Sequence, residues 1–280
     1  SRFEDLIALN ALYRPGPIQF IPLYIKRKHN QKLITYLDPV FEKILAQTYG
    51  VLVYQDDLLI IARELAGYSW KEVDKFRKAV GKKIPKEMQA QKDKFIEGCI
   101  KTSKWNKEKA EKIWSWIEPF AAYGFNKAHA TSYGKVAYQT AYMKANFPIE
   151  YMAAVLTADS GDVDKISESI IELKRMNIPV QPASVNESFG DFTVVDGKIR
   201  FGLHSIKNFG ESIADFIITE REANGKFKSL SDFLERIQNK NLNKKSLEAL
   251  IKSGALDQFE ERGKMSSNIE HLLIYNKEHS

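Results

Sequence analysis

Cysteine is almost absent from this 280-residue chain: Cys99 stands alone, so no intrachain disulfide and no cysteine-built zinc or iron–sulfur site is available. Long apolar runs are absent too. Stretches such as Leu58–Ala62 and Ala153–Leu156 fall far short of the roughly 18 residues that span a bilayer, so no membrane partner is expected. The start, Ser1-Arg2-Phe3-Glu4-Asp5, has no basic-then-apolar signal layout and no initiator methionine, and it reads as a piece of a longer, cytoplasmic protein. Enzyme signatures are missing as well: no phosphate-cradling Gly-x-x-x-x-Gly-Lys, no Gly-x-Gly-x-x-Gly, no His-Glu-x-x-His and no serine nucleophile elbow. The five histidines are scattered and carry no zinc-ligand spacing. Tandem repeats and low-complexity tracts are also lacking.

What is present is a folded, charged chain of one large or two ordinary domains, 44% hydrophobic and 28% charged. Its net charge of +6 is unevenly spread. Residues 1–150 carry 25 Lys/Arg against 16 Asp/Glu, whereas residues 151–280 carry 17 against 20. The basic half suggests a polyanion partner, although a solvated lysine face explains charge alone equally well.

Helical punctuation dominates the first half, with Asp38-Pro39, the box Ser69-Trp70-Lys71-Glu72, and Asn106 ahead of a Trp-bearing run to Ala122. About seven helices are expected before Pro148. Val51–Tyr54 reads as a short strand or extended link. The preferred boundary falls near Ser160-Gly161, giving a helical region 1–160 and a smaller α+β region 161–280. There, 178–181, 192–195 and 198–203 are strand candidates, with Asp196-Gly197 as a hairpin turn. Short helices follow, from about Gly210, from Ser229 and from Asn243 to Lys252, with a tail after Gly263. The fold class is mostly α.

Three features carry chemistry. Lys71, Lys75, Lys78 and Lys82 recur at i, i+4, i+7 and i+11, forming one helical stripe beside the apolar Val73, Phe76 and Val80, with Arg77 at the border. Between Tyr123 and Tyr133 a glycine turn leads into a helix that begins with Asn126, Lys127 and His129, donors suited to phosphate at a helix start. Tyr133, Tyr138 or Tyr142 can offer a face to a base, while structurally Tyr138 and Tyr142 have the i, i+4 spacing of a core pair. Lys207-Asn208-Phe209-Gly210 has the form of a tight hairpin whose backbone grips phosphate. Two acidic pairs, Asp56-Asp57 and Asp162/Asp164, precede or open helices, and capping explains them more simply than metal binding.

Taken in order, Phe3–Leu9, Arg14-Pro15-Gly16-Pro17, Thr48-Tyr49-Gly50 with Tyr54-Gln55, Gly67-Tyr68-Ser69, Ala79–Lys83, Tyr123–Lys127 with His129, and Tyr138–Ala141 closely resemble the C-family replicative DNA polymerases of bacteria. The resemblance implies a fingers region leading into a little-finger and helix-hairpin-helix region, contacting the incoming deoxynucleoside triphosphate and primer-template DNA. It assigns phosphate contacts to Arg14, Arg77, Lys78, Lys82, Asn126, Lys127 and His129, and DNA contacts to Lys71, Lys75, Lys83, Tyr133, Lys207, Asn208 and Gly210. Arg77 and Lys127 should meet at one hollow. The sequence departs from the family at Arg77-Lys78 (usually Arg-Arg), Asp56-Asp57 (usually Glu-Gln), Ala128 (usually serine) and Asn208 (usually glycine). The family's magnesium-holding palm aspartates have no counterpart here, so the segment is expected to carry no cofactor and to be inert alone, with the sliding clamp and replisome reached through the full chain. A non-catalytic helix-hairpin-helix DNA-binding module and a helical interaction scaffold remain the alternatives.

Overall fold

The computed structural model describes every residue except Ser1, Lys83, Ile84, Ala122, Tyr123 and Ser280, and describes no side chain at positions 80–82, 85 and 121. Two compact units divide the chain, Ser1–Gln139 and Thr140–Ser280. Helices α1 (Phe3–Leu12), α2 (Ile21–His29), α3 (Val40–Leu45), α4 (Gln55–Ala66), α5 (Trp70–Lys82), α6 (Pro85–Ser103) and α7 (Lys107–Ala121) belong to the first, and α8 (Lys127–Asn146) runs across the division. That makes eight α-helices before Pro148 among the described residues, one more than the punctuation suggested.

In the first unit, Leu58, Ile61, Ala62 and Leu65 recur along α4 at helical spacing and form a buried stripe. Against it pack Phe95, Ile96 and Cys99 of α6 and Ile113, Trp114 and Ile117 of α7, in one cluster with Phe76 of α5. Each such large side chain contributes about 1.5–3 kcal/mol on burial. The approach of α6 to α4 is close enough to require glycine: a Cβ on Gly98 would lie 2.3 Å from the Ala66 carbonyl oxygen. Burial pushes the Cys99 thiol up to about 12, which leaves it an inert core residue.

A second cluster in the same unit gathers Ile7, Ala8, Ala11 and Leu12 of α1 with Tyr24 of α2 and the segment Tyr49–Tyr54. Asp5 is buried within it and fully partnered. One carboxylate oxygen accepts from the hydroxyls of Tyr24 and Tyr49 at 3.0 Å each, and the other from Arg2 N–H at 3.0 Å and Lys28 Nζ at 2.7 Å. Burial alone would raise its pKa, but these four donors outweigh it and hold the carboxyl well below its usual range. Val51–Val53 is neither helix nor strand, and Tyr54 makes a single parallel bridge to Phe125.

The second unit contains α9 (Pro148–Ala158), α10 (Val163–Arg175), strands β1 (Val180–Gln181), β2 (Thr193–Val195) and β3 (Lys198–Arg200), then α11 (Glu211–Asn224), α12 (Leu230–Arg236), α13 (Lys244–Ser253), α14 (Arg262–Ser267) and α15 (Ile269–Glu278). Ser160-Gly161 forms the link between α9 and α10. The sheet order is β1-β3-β2, with β1 parallel and β2 antiparallel to β3, in the register Val180–Ile199 and Val194–Ile199. Asp196 and Gly197 have φ of 49° and 70°, the left-handed pair that the hairpin turn demands. The caps follow the sequence: Asp162, Ser229 and Asn243 accept from N–H groups of the turns they open, and Gly254 closes α13 at φ 83°.

Buried polar side chains fasten the second unit. The Asn186 amide donates to Phe227 O and accepts from Phe227 N–H at 2.8 and 2.7 Å. Arg221 of α11 donates to the carbonyls of Val185 and Ser188, both at 2.9 Å. Asn276 of α15 donates to Leu234 O at 2.6 Å and Ile237 O at 3.1 Å, closing the end of α12. Buried polar groups that find such partners avoid a desolvation cost of about 1–3 kcal/mol each.

Candidate phosphate and nucleic-acid site

The Tyr54–Phe125 bridge lies immediately before two helix starts. Gln55 N–H donates to Phe125 O at 2.9 Å, and the first turns of α4 and α8 therefore begin side by side. Two helix N-termini placed together make a positive field that favours anions. Around Phe125 three of the candidate side chains gather. The Arg14 guanidinium lies 4.4 Å from the Phe125 ring centroid, the His129 ring 5.4 Å from it, and the Tyr133 ring 4.6 Å from His129. Arg14 Nε donates to Ala11 O at 3.1 Å, and burial pulls its pKa below the ordinary arginine value. Lys127 extends over the Tyr54 ring at 5.3 Å and donates to Gln47 Oε1 at 3.1 Å. The partners of its ammonium are a ring face and an amide oxygen, and it makes no ion pair with a carboxylate among the described residues.

The backbone at this helix start is already engaged. Lys127 N–H donates to Asp56 Oδ2 and His129 N–H to Asn126 Oδ1, both at 2.8 Å. Asn126 is thus the N-cap of α8, and an incoming phosphate meets side chains here more than backbone. Asp56 caps α8, not the helix it opens. Asp57 is buried, with Oδ2 lacking any partner, and burial pushes its carboxyl up to about 7 despite the opposing charge of Lys127. Neither carboxylate fits a two-metal centre, since one is spent on a cap and the other is shut from solvent.

On α5, Val73 and Phe76 are buried and Lys71, Lys75, Arg77 and Lys78 exposed, as the stripe predicts. Arg77 and Lys78 converge on Asp74, at 2.6 and 2.8 Å. These two hydrogen-bonded cations pull the Asp74 pKa down, Lys78 first and Arg77 second. No hydrogen bond, ion pair or ring contact joins Arg77 to Lys127: the partner of one is Asp74, those of the other Gln47, Tyr54 and Asp56. The Lys82 side chain, and Lys83 altogether, lie outside the described residues, as does Tyr123. Tyr138 and Tyr142, read as a core pair, are 57% and 51% exposed, because on α8 only Ala130 and Gly134 turn inward.

In the second unit the hairpin forms as its residues suggest. Asn208 takes φ 65°, the left-handed position that asparagine tolerates in place of glycine, and Gly210 stands at the N-cap of α11 with no side-chain cap. A cavity of about 540 Å³ opens beside it, lined by Lys207, Asn208, Ser205, Lys245 and Lys252 among others. Lys252 is paired to Glu248 at 2.5 Å. Lys245 and Lys252 were not singled out from the sequence. Their i, i+7 spacing on α13 puts them on one face, and that signal was there to be found.

A family model described as the bacterial DNA polymerase III alpha subunit finger domain matches residues 1–103, and a helix-hairpin-helix motif model matches residues 177–265. The DNA polymerase III subunit alpha of Thermus aquaticus is 47% identical over 277 residues, covering 97% of this chain and 23% of that protein. The chain belongs to the DNA polymerase III alpha-subunit family. Proteins of the same name from Borreliella burgdorferi, 46% identical over 271 residues, and Bacillus subtilis, 41% over 274, cover 96% and 98% of the chain. The chain spans about a quarter of the length of these alpha subunits, 24% of each of the last two. Within the DNA polymerase III alpha family, the finger-domain match ends at α6, and the site at the start of α8 lies beyond it. The Asn208 hairpin and its lysine-lined cavity fall inside the helix-hairpin-helix match.

Proposed function

We propose that this segment serves a DNA-directed DNA polymerase by holding the triphosphate of the incoming deoxynucleotide at the start of α8 and the primer-template DNA along α5 and the Asn208 hairpin. The observation that carries this reading is that Arg14 and His129 face Phe125 and Lys127 lies over the bridged Tyr54, where two helices begin side by side and the Lys127 ammonium makes no ion pair among the described residues, although Asp56 and Asp57 lie close. An ammonium held by an aromatic face and one amide oxygen is oriented without an ion pair, and a phosphate oxygen is a stronger acceptor than either. Arg77 and Lys78 are pre-assembled differently: a phosphate reaching them must displace Asp74.

In this reading Tyr133 stacks beside the His129 ring, and Lys71, Lys75, Lys83, Lys207 and the Gly210 helix start follow the DNA backbone without reading sequence. The residues of this chain position the triphosphate and balance its charge. Magnesium, supplying the metal-assisted phosphoryl-transfer chemistry, is assigned to aspartates of the polymerase outside this chain, and the sliding clamp to other parts of the same polymerase.

The lysine-lined cavity at Lys207, Lys245 and Lys252 favours a second reading, a helix-hairpin-helix module that binds DNA and takes no part with nucleotides. Titrating deoxynucleoside triphosphate into the DNA-bound polymerase separates the two. The polymerase reading expects saturable triphosphate binding that Lys127→Ala weakens by about tenfold, the worth of one charge-assisted hydrogen bond. Triphosphate binding unchanged by that substitution would leave only the module. Under either reading DNA affinity falls steeply with salt, as counterions are released.

A further inference from the structure

Away from the α8 start, the first unit holds a cavity of about 390 Å³ between α2, the segment 35–37, α3 and α7. Its wall is aromatic and aliphatic, with Phe20, Leu23, Tyr36, Phe41, Trp116 and Phe120 among the lining residues. One lining side chain is charged, and it is a cation. Among the described residues Arg27 carries no ion pair, and no aspartate or glutamate lines the cavity. Its Nη1 donates to the carbonyls of Tyr49 and Gly50, at 3.3 and 3.0 Å, and Nη2 reaches Thr35 Oγ1 at 3.5 Å. The Nε–H is buried and has no acceptor.

This wall is built, not incidental. Gly50 has φ +74°, and a Cβ there would press on Arg27 Nη1 at 3.1 Å and on the Tyr36 ring at 3.3 Å, so the glycine leaves room for the guanidinium and ring to stand together. A guanidinium set among aromatic rings without a counter-ion, with one donor shut from water and unused, is an electrostatic debt of about 1–3 kcal/mol or more. Size and lining match the cavities that take small molecules, which are mostly apolar with a few placed polar groups.

We propose that this cavity binds a small amphipathic carboxylate, its apolar body among Phe20, Tyr36, Phe41 and Trp116 and its carboxylate accepting from Arg27. Such a ligand would tie α2 to α7 through a cation that has no carboxylate partner among the described residues. The proposal stands apart from the nucleotide reading, since neither Lys127 nor its partners Gln47 and Tyr54 line this cavity.

Naphthoate and the isosteric neutral naphthalenemethanol are the probes, followed by ligand-observed saturation-transfer NMR on this chain and on the complete polymerase. Saturable naphthoate binding is expected, about tenfold tighter than that of the alcohol, the preference being the charge-assisted bond. Arg27→Met should erase the preference. Should that variant fail to fold, having lost its bonds to Tyr49 and Gly50, Leu23→Trp decides: it alters an exposed lining residue and should block both probes. Equal affinity for acid and alcohol, a preference that survives Arg27→Met, or binding untouched by Leu23→Trp would overturn the site. So would a complete polymerase that does not bind naphthoate while amides of α2 and α7 are shielded without it, which would make the cavity a seam for the rest of the chain.

Discussion

Asp57 offers a perturbation whose sign and size can both be worked from the structure. Its carboxyl is buried with one oxygen unpartnered, and burial raises it from the ordinary 3.8 to about 7. A carboxyl raised in the folded state binds its proton more tightly there than in the unfolded chain, so stability falls as pH rises from about 4 to about 7. At about 1.4 kcal/mol per pH unit, a shift of this size corresponds to about 4 kcal/mol. The adjoining starts of α4 and α8 favour the ionised form by about 0.3–1 kcal/mol each, leaving about 2–3 kcal/mol. Asp57→Asn removes the titration while keeping the shape. At pH 8 the variant should be more stable than the parent by about 1–2 kcal/mol, after the cost of a buried amide is subtracted. Urea unfolding between pH 5 and 8 by tryptophan fluorescence reads the right unit, because Trp70, Trp105, Trp114 and Trp116 all lie within Ser1–Gln139. Parallel pH profiles for parent and variant would refute the reasoning.

Asp5→Asn keeps an oxygen for the two tyrosine hydroxyls but sets an amide NH2 against Arg2 N–H and the Lys28 ammonium, which lose their acceptor, and should cost the first unit about 2–4 kcal/mol in the same urea assay. In the parent, the stability Asp5 contributes is present above the ordinary carboxylate range and is lost as pH falls through and below it, because the folded value is depressed. Gly98→Ala forces a methyl against the Ala66 carbonyl and should cost about 2 kcal/mol despite alanine's better helix propensity, visible as a lowered melting temperature. Asn208→Ala places a less tolerant residue at φ 65° and should cost the second unit about 1 kcal/mol, whereas Asn208→Gly should not; equal losses would mean that the backbone angle is not what the residue serves.

Local signals were the readable part of this fold. Asp162, Ser229, Asn243 and Gly254 announce helix ends by side-chain chemistry confined to one turn, and Asp196-Gly197 announces its hairpin in the same way. The Val73 and Phe76 stripe on α5 was equally legible, since burial follows helical spacing. Long-range pairings were not. Nothing local says that Asp56 caps a helix starting 71 positions later, or that Arg14 lies over Phe125. Tyr138 and Tyr142 mislead for the converse reason: i, i+4 aromatics signal one face of a helix, and only the tertiary fold decides which face is buried. Arg27 sits in the basic run Lys26–His29, which reads as a solvated helix end until the loop at Gly50 closes over it.

The most direct measurement is single-nucleotide incorporation by the complete polymerase as a function of deoxynucleotide concentration, comparing the parent with Lys127→Ala and Lys127→Arg. If the ammonium at the start of α8 receives the triphosphate, alanine should raise the apparent nucleotide KM by about tenfold with little change in DNA affinity or melting temperature, and arginine should recover most of the loss. A Lys127→Ala polymerase with the parent's KM and rate would contradict it, and the phosphate site would then have to lie elsewhere.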